Sequence, residues 1–312
     1  MKTGLPLSLI SILFIALLVC GCASPFSGGD SSVQTGSTGT AGIPVGSGQY
    51  VFSDTLGNAD QPITVYTYRP ASWNTSGPIL IVMHGAGRTG ALSRDVWIPY
   101  CNQYSALIIS PEFSTEYYPG DFDYNGGNMF FGENWTPRNK ANWTFTAIEH
   151  VFDDVRSRSG AKQETYLLFG HSAGGQFVHR LATFLPEARF SRAVAANAGL
   201  YAMPTYTIWF PYGLYGSPLT TDELKRVFSR KLIIMSGDRD TNPNDGGLAN
   251  FPEAEAQGST RFARAKNYFE TAKQESARLT VPLNWEYHIV PGVGHDEAGM
   301  ARASAPVLFN GT

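Results

Sequence analysis

The stretch Thr165-Tyr166-Leu167-Leu168-Phe169-Gly170-His171-Ser172-Ala173-Gly174-Gly175-Gln176 decides the fold. Its first five residues form the short apolar run of a buried parallel strand. The residues from Gly175 to Leu185 suit a helix. Between them, Gly170 and Gly174 stand two residues before and two after Ser172. A strand that turns this sharply into a helix leaves no room for side chains at those two positions, because a Cβ would strike the neighbouring strand or helix. The turn exposes the Ser172 hydroxyl and aims the start of the following helix at any negative charge that develops beside it. His171, inside the turn, reads as a packing residue.

Outward from this turn, strand-like and helix-like patterns alternate. Strands are expected at Tyr50 to Thr55, Ile63 to Arg69, Ile79 to Met83, Ala106 to Ser110, Thr165 to Phe169, Ala193 to Ala196, Leu232 to Met235 and Trp285 to Val290. Helices are expected at Trp143 to Ser157, with Phe145, Ile148, Val151, Phe152 and Val155 on one stripe, and at Ser259 to Leu279, with Phe262, Ala265, Phe269 and Ala272 at similar spacing. The fold class is α/β, a mostly parallel sheet with helices on both faces. Ligand sites of such sheets lie beyond the carboxyl ends of the strands.

A serine hydroxyl near neutral pH needs a base, and the base needs a carboxylate to orient it. Of the six histidines, His150 and His179 fall in expected helices, His288 in a strand, and His84 and His171 in other turns. His295 follows a strand and the turn Pro291-Gly292-Val293-Gly294, which places it at the carboxyl edge. The acid is expected after the preceding strand, where Asp238 and Asp240 both qualify and Asp245 is more remote. A calcium loop is rejected here, because Pro243 stands where such a loop needs glycine and Ala249 where it needs glutamate. No metal site is expected.

The order of Gly-rich loop, Ser172, Asp and His295 resembles the α/β-hydrolase superfamily. Gly170 to Gln176 and His84-Gly85-Ala86-Gly87 resemble its polyhydroxybutyrate-depolymerase and polysaccharide-esterase branch, which includes feruloyl and acetyl esterases. The resemblance implies Asp240 as the orienting acid, since that residue commonly stands three positions after a Gly, here Gly237. It implies an oxyanion hole from the amides of Ala86 and Ala173. It further implies a carboxylic-ester hydrolase that works through an acyl-enzyme and requires no cofactor. A peptidase of the same fold and a non-catalytic surface module are the alternatives.

Two insertions leave the carboxyl edge. One carries Phe113, Tyr117, Tyr118, Phe122, Tyr124, Phe130, Phe131 and Trp135; the other carries Tyr201, Tyr206, Trp209, Phe210, Tyr212 and Tyr215. Their lengths exceed those of passive loops. They are expected either to wall a substrate cleft or to pack as small satellite cores.

The remaining sequence bears on location. A net charge of −3 and the lack of a Lys/Arg-rich run exclude a nucleic-acid partner. The chain opens with Lys2 and an apolar run from Leu5 to Cys20, shorter than the ~20 residues that span a bilayer, as in a signal peptide. Val19-Cys20-Gly21-Cys22 resembles a lipobox. Residues 1–21 are therefore expected to be a signal, residues 22–48 a flexible Ser/Gly/Thr-rich linker and residues 49–312 the catalytic domain. Cys22 would carry lipid and tether the enzyme to the outer face of a membrane. Cys101 would then remain single, with no intramolecular disulfide. Mass spectrometry of the mature protein should find a lipid-modified N-terminus at Cys22; an unmodified N-terminus beyond it would contradict this assignment.

Overall fold

The computed structural model describes residues 42–132 and 134–311. The apolar leader, the expected acceptor Cys22 and the linker as far as residue 41 lie outside the described residues. Among the described residues no helix is long and apolar enough to cross a membrane.

The strands are β1 (Gly46–Phe52), β2 (Ile63–Arg69), β3 (Ile79–Met83), β4 (Leu107–Glu112), β5 (Phe130–Phe131), β6 (Thr136–Pro137), β7 (Tyr166–His171), β8 (Phe190–Ala196), β9 (Leu232–Gly237) and β10 (Glu286–Val290). The helices are α1 (Gly90–Tyr104), α2 (Thr144–Ser159), α3 (Ala173–Phe184), α4 (Thr221–Phe228), α5 (Pro252–Glu255), α6 (Arg261–Arg278) and α7 (Glu297–Asn310). The main sheet runs β1-β2-β4-β3-β7-β8-β9-β10, while β5 and β6 pair as a separate small hairpin. β1 and β2 enter antiparallel, and every pairing from β4 to β10 is parallel.

Alternation along the parallel strands sends successive side chains to opposite faces. Ile79, Ile81, Met83, Leu168, Ala195 and Ile234 pack with α2, α3 and α6. Leu80, Val82, Phe169, Val194, Ile233 and Met235 pack with α1 and α7. Both faces are covered, so the strands read as continuous apolar runs, and the carboxyl ends are the open edge.

Where structure and sequence reading differ, the causes are local. β1 starts at Gly46, four residues ahead of Tyr50, and Ile43 is already buried, so folded chain begins inside the stretch expected to be linker to Gly48. A strand is held by its backbone ladder with β2, which a Gly/Ser-rich composition conceals. α1 lay in no expected helix because its buried stripe, Gly90, Ser93, Trp97 and Cys101, is narrow and only half apolar. The buried face of α6 is rotated from the expected one. It runs through Arg261, Arg264, Ala265, Tyr268 and Ala272, with Phe262 and Phe269 only half-buried. Buried arginines at the start of a helix defeat a reading based on apolar spacing.

Three buried histidines tie the loops of the open edge to the sheet. The ring of His84, at the end of β3, contacts the Gly85 carbonyl through Nδ1 at 2.9 Å, and its Nε2 accepts the Phe113 amide at 3.0 Å. His179 on α3 contacts the Gly175 carbonyl through Nδ1 and accepts the Ala202 amide at Nε2, 3.0 Å away. Each ring nitrogen that accepts an amide must be unprotonated, so both rings are neutral. His171, buried at the end of β7, has its ring centroid 4.6 Å from that of His295. Burial pushes His84 down to about 4, and burial followed by the nearby His295 and Arg261 pushes His171 down to about 3. Burial also holds His179 well below the usual range.

An unfolded histidine protonates near pH ~6.5, above all three folded values. The stabilisation is therefore complete above about pH 6.5 and is lost as the pH falls, because the unfolded chain binds protons that the folded chain refuses. Denaturant midpoints should drop steadily between about pH 6.5 and 5, before carboxylates titrate, at up to ~1.4 kcal/mol per pH unit for each histidine. A flat profile over that window would contradict the neutral, buried assignment.

Candidate active site

The site is built on the turn between β7 and α3. Ser172 adopts φ 57° and ψ −118°, a conformation that a non-glycine residue keeps only when its surroundings enforce it. The enforcement is backbone packing. A Cβ on Gly170 would lie 2.1 Å from the Gly174 carbonyl oxygen, and a Cβ on Gly174 would lie 2.1 Å from the Met83 carbonyl oxygen of β3. α3 begins at Ala173, so the amide of that residue belongs to the first turn, whose donors have no partner within the helix.

The loop after β10 brings His295 to this serine. His295 Nε2 stands 3.0 Å from Ser172 Oγ, and His295 Nδ1 stands 2.8 Å from Asp240 Oδ2. Asp240 is 4% exposed, so this carboxylate is held away from water. Its backbone is fixed twice: its amide donates to the Gly237 carbonyl at 3.1 Å, and its carbonyl accepts the Phe262 amide at 3.2 Å. The neighbouring Asp238 points elsewhere, with Oδ1 accepting the Gly292 amide at 2.7 Å. It holds the loop that carries His295. Asp245 is held by Arg261 Nη2 at 2.9 Å, and Arg261 Nη1 lies 3.6 Å from Asp240 Oδ1. Arg261 is itself buried and forms one wall behind the carboxylate.

Ala86 lies in a turn closed by the Arg88 amide on the Gly85 carbonyl at 3.2 Å. That turn follows Met83, whose register partner on β7 is Gly170, so it adjoins Ser172. Tyr124 fixes it from outside, with its hydroxyl donating to the His84 carbonyl at 2.7 Å and its ring stacked on His84. The amides of Ala86 and Ala173 both donate to no described protein group. Ser172, Asp240, His295, Ala86 and Ala173 thus gather at one edge of the sheet, while Cys22 lies outside the described residues.

Asn197 escaped the sequence reading. It directly follows β8 with φ 45°, and its amide donates to the Met235 carbonyl at 2.9 Å. Its Oδ1 accepts the Gly237 amide at 2.8 Å, and its Nδ2 donates to the Gly294 carbonyl at 2.9 Å. One side chain thereby joins the loop that carries Asp240 to the loop that carries His295. The available signal was an Asn at the carboxyl end of a buried strand, the residue type that most readily takes positive φ after glycine.

The aromatic insertions divide their duties. Phe113, Tyr118 and Tyr124 from the first, and Tyr201 from the second, are fully buried and pack as core. Phe122, Phe131, Trp135, Trp209 and Tyr215 remain exposed. The two insertions meet where Phe210 contacts Phe130 and Trp135, with ring centroids at 5.1 and 5.8 Å. A cleft of about 300 Å³ lies there, lined by Phe122, Phe130, Phe131, Trp135 and Phe210. The expected satellite packing is realised by the buried rings, while the exposed rings border this cleft.

A doubly wound sheet with a strained serine at the end of a central strand defines the α/β-hydrolase fold. No family model matches the chain, and no curated protein does. Among solved structures it is similar to poly(aspartic acid) hydrolase-1 from Sphingomonas sp. KT-1, at 37% identity and a TM-score of 0.82 over 86% of this chain and 100% of that one. It is similar also to a poly(3-hydroxybutyrate) depolymerase from Bordetella parapertussis, at 40% identity and a TM-score of 0.81 over 86% and 91% of the two chains. An S-formylglutathione hydrolase from Agrobacterium tumefaciens, 12% identical with a TM-score of 0.55 over 88% and 95%, shares the fold. The chain belongs to the esterase and depolymerase branch of the α/β-hydrolases, and it is a carboxylic-ester hydrolase.

Asn197→Ala should leave the buried Gly237 amide without a partner, at a cost of about 1–3 kcal/mol. It should also loosen the spacing of Asp240 and His295, lowering kcat by about a hundredfold. Denaturation midpoints and steady-state kinetics on the same preparation check both effects; a folded variant with unchanged kcat would show that Asn197 does not set the site.

Proposed function

We propose that the protein hydrolyses extracellular polymeric or aryl and acyl esters, with Ser172 as nucleophile, His295 as general base and Asp240 as the orienting acid. The observation that carries this reading is the unbroken hydrogen-bonded chain from Ser172 Oγ through His295 to the buried Asp240 carboxylate. In the first step His295 Nε2 takes the hydroxyl proton as Ser172 Oγ attacks the ester carbonyl. Asp240, bonded to Nδ1, fixes the tautomer and stabilises the imidazolium that forms. The amides of Ala173 and Ala86 receive the negative charge on the carbonyl oxygen. His295 then returns its proton to the departing alcohol, leaving an acyl-enzyme. Water, deprotonated by His295, releases the acid and restores Ser172.

Substrate class follows from the surroundings. The exposed rings of Phe122, Phe131 and Trp135 offer an apolar wall to a chain or aryl group too large for a closed pocket. The similarity to a poly(3-hydroxybutyrate) depolymerase supports a polymeric ester. The similarity to a poly(aspartic acid) hydrolase favours a second reading, cleavage of an amide polymer by the same three residues. The signal-like leader and Cys22 support a lipid-tethered enzyme outside the cell, where such polymers are met.

The orienting acid discriminates this mechanism from a bare serine on a strained turn. Asp240→Asn should keep the fold yet cost up to about ten-thousandfold in kcat, whereas Asp238→Asn should cost far less, since it disturbs only the loop. Assaying both variants against matched ester, thioester and peptide substrates separates the two readings. An active Asp240→Asn enzyme beside a dead Asp238→Asn enzyme would reverse the assignment.

A further inference from the structure

Arg180, Arg261 and Arg264 are buried, and their surroundings differ. Arg261 lies 2.9 Å from Asp245 and 3.6 Å from Asp240. Arg264 lies 3.3 Å from Glu255 and donates to three backbone carbonyls. Arg180, 5% exposed, has no carboxylate within 4 Å among the described residues. Its Nη1 is shared by the Asn125 carbonyl at 3.2 Å, Asn125 Oδ1 at 2.7 Å and Gln176 Oε1 at 3.2 Å, all neutral acceptors. Its Nε and Nη2 donate to no described group. A buried cation left with neutral partners and spare donors is costly, and buried charges are ordinarily paired.

The side chain is not sealed in. It lines a cavity of about 200 Å³ together with Gln176, Asn125, Gly199, Leu200 and Tyr212. Burial lowers Arg180 only to about 10, so it remains a cation at neutral pH. Asp121 also borders the cavity; it is exposed to solvent and lies beyond 4 Å, and its charge offsets part of the effect of burial on Arg180 without bonding to it.

The cavity's position relates it to the reaction. Gln176 and Arg180 stand four residues apart on one face of α3, and the Gln176 amide donates to the Ser172 carbonyl at 3.0 Å. Helical side chains lean toward the N-terminus, so Arg180 reaches back over Gln176 toward Ser172. With 1.5 Å of rise per residue, the Arg180 Cα stands about 10 Å along α3 from Ala173, the residue that follows the nucleophile, and the backward lean of the side chain shortens that span to one a short carbon chain can cross.

We propose that this cavity is an anion subsite, in which Arg180 receives a carboxylate carried by the substrate a few atoms from the scissile ester. The proposal rests on Ser172 as the nucleophile. Nε and Nη2 would donate to the two carboxylate oxygens, in the paired geometry that guanidinium favours. The substrate would thereby supply a carboxylate in hydrogen-bond contact, which no described residue gives Arg180.

The test compares esters that differ only in charge. Monoethyl glutarate is set against its uncharged monoamide counterpart, and 4-acetoxybutyrate against 4-acetoxybutanamide, so that the carboxylate lies on the acyl or on the alcohol side. At least one charged ester should exceed its neutral partner in kcat/KM by about tenfold or more. Gln176→Glu places a carboxylate beside Arg180 without changing side-chain size. It should bring that ratio to about one or below, and Arg180→Met should do the same. The ratio is the readout, because a purely structural role for Arg180 would lower both rates together and leave it unchanged. No charge preference in either pair, or a preference that survives Gln176→Glu, would overturn the proposal. If the wild-type protein hydrolyses none of these esters, the nucleophile reading fails separately, and calorimetry with glutarate decides the subsite. Binding to wild type but not to Gln176→Glu supports the subsite, and no binding to wild type overturns it.

Discussion

The site depends on how closely three pieces of backbone approach one another around Ser172. β7, β3 and the first turn of α3 meet so tightly that a single Cβ on Gly170 or Gly174 would sit 2.1 Å from a carbonyl oxygen. This contact holds Ser172 at φ 57° and projects its hydroxyl beyond the sheet. It also leaves the Ala173 amide without a helical partner, beside the turn that carries Ala86. A strained residue persists only where its surroundings over-determine it. Here the surroundings are the parallel core of the sheet, buried on both faces. Strain at one residue is offset by packing across the whole domain, and its result is a hydroxyl 3.0 Å from His295 Nε2.

The other half of the site comes from loops, which need separate anchoring. His295 and Asp240 follow β10 and β9, and neither loop has regular structure between strand and functional residue. Asn197 links the two through its side chain, Asp238 pins Gly292, and Arg261 closes the space behind Asp240. His84, His171 and His179 serve the same end for the turn that carries Ala86, the elbow and the second insertion. For His84 and His179 the neutral state is a condition of their hydrogen bonds, so the architecture around the site is also sensitive to acid. Buried histidines thus serve as connectors, while the partly exposed His295 stands between Ser172 Oγ and Asp240.

Much of this was legible in the sequence, for physical reasons that can be named. Parallel strands buried on both faces announce themselves as apolar runs, as β3 does, while the antiparallel β2 is legible through its alternation; both fall within their expected bounds. The elbow is legible because its steric demand falls on glycine alone. His295 stood out because it follows a strand at the open edge, whereas position after a strand left Asp238 and Asp240 equal and only the family resemblance favoured Asp240. What escaped depends on contacts distant in the chain. α1 hides behind Trp97 and a few small residues, and the true face of α6 is led by Arg261 and Arg264, which no apolar pattern reveals. Asn197 carries little local signal, since its partners lie 40 and 97 residues away. The split of the aromatic insertions into core and cleft likewise required the fold to bring Phe210 against Phe130 and Trp135.

The central claim is that Ser172 is the nucleophile of an ester hydrolase. Covalent labelling with a fluorophosphonate, followed by peptide mapping, tests it most directly, because labelling reports the activated serine even when the natural substrate is not in hand. The wild-type protein should label at Ser172 alone, and folded Ser172→Ala should neither label nor hydrolyse esters through an acyl-enzyme. Labelling of the folded Ser172→Ala protein at another serine, or a wild-type protein that neither labels nor turns over any acyl donor, would contradict the account.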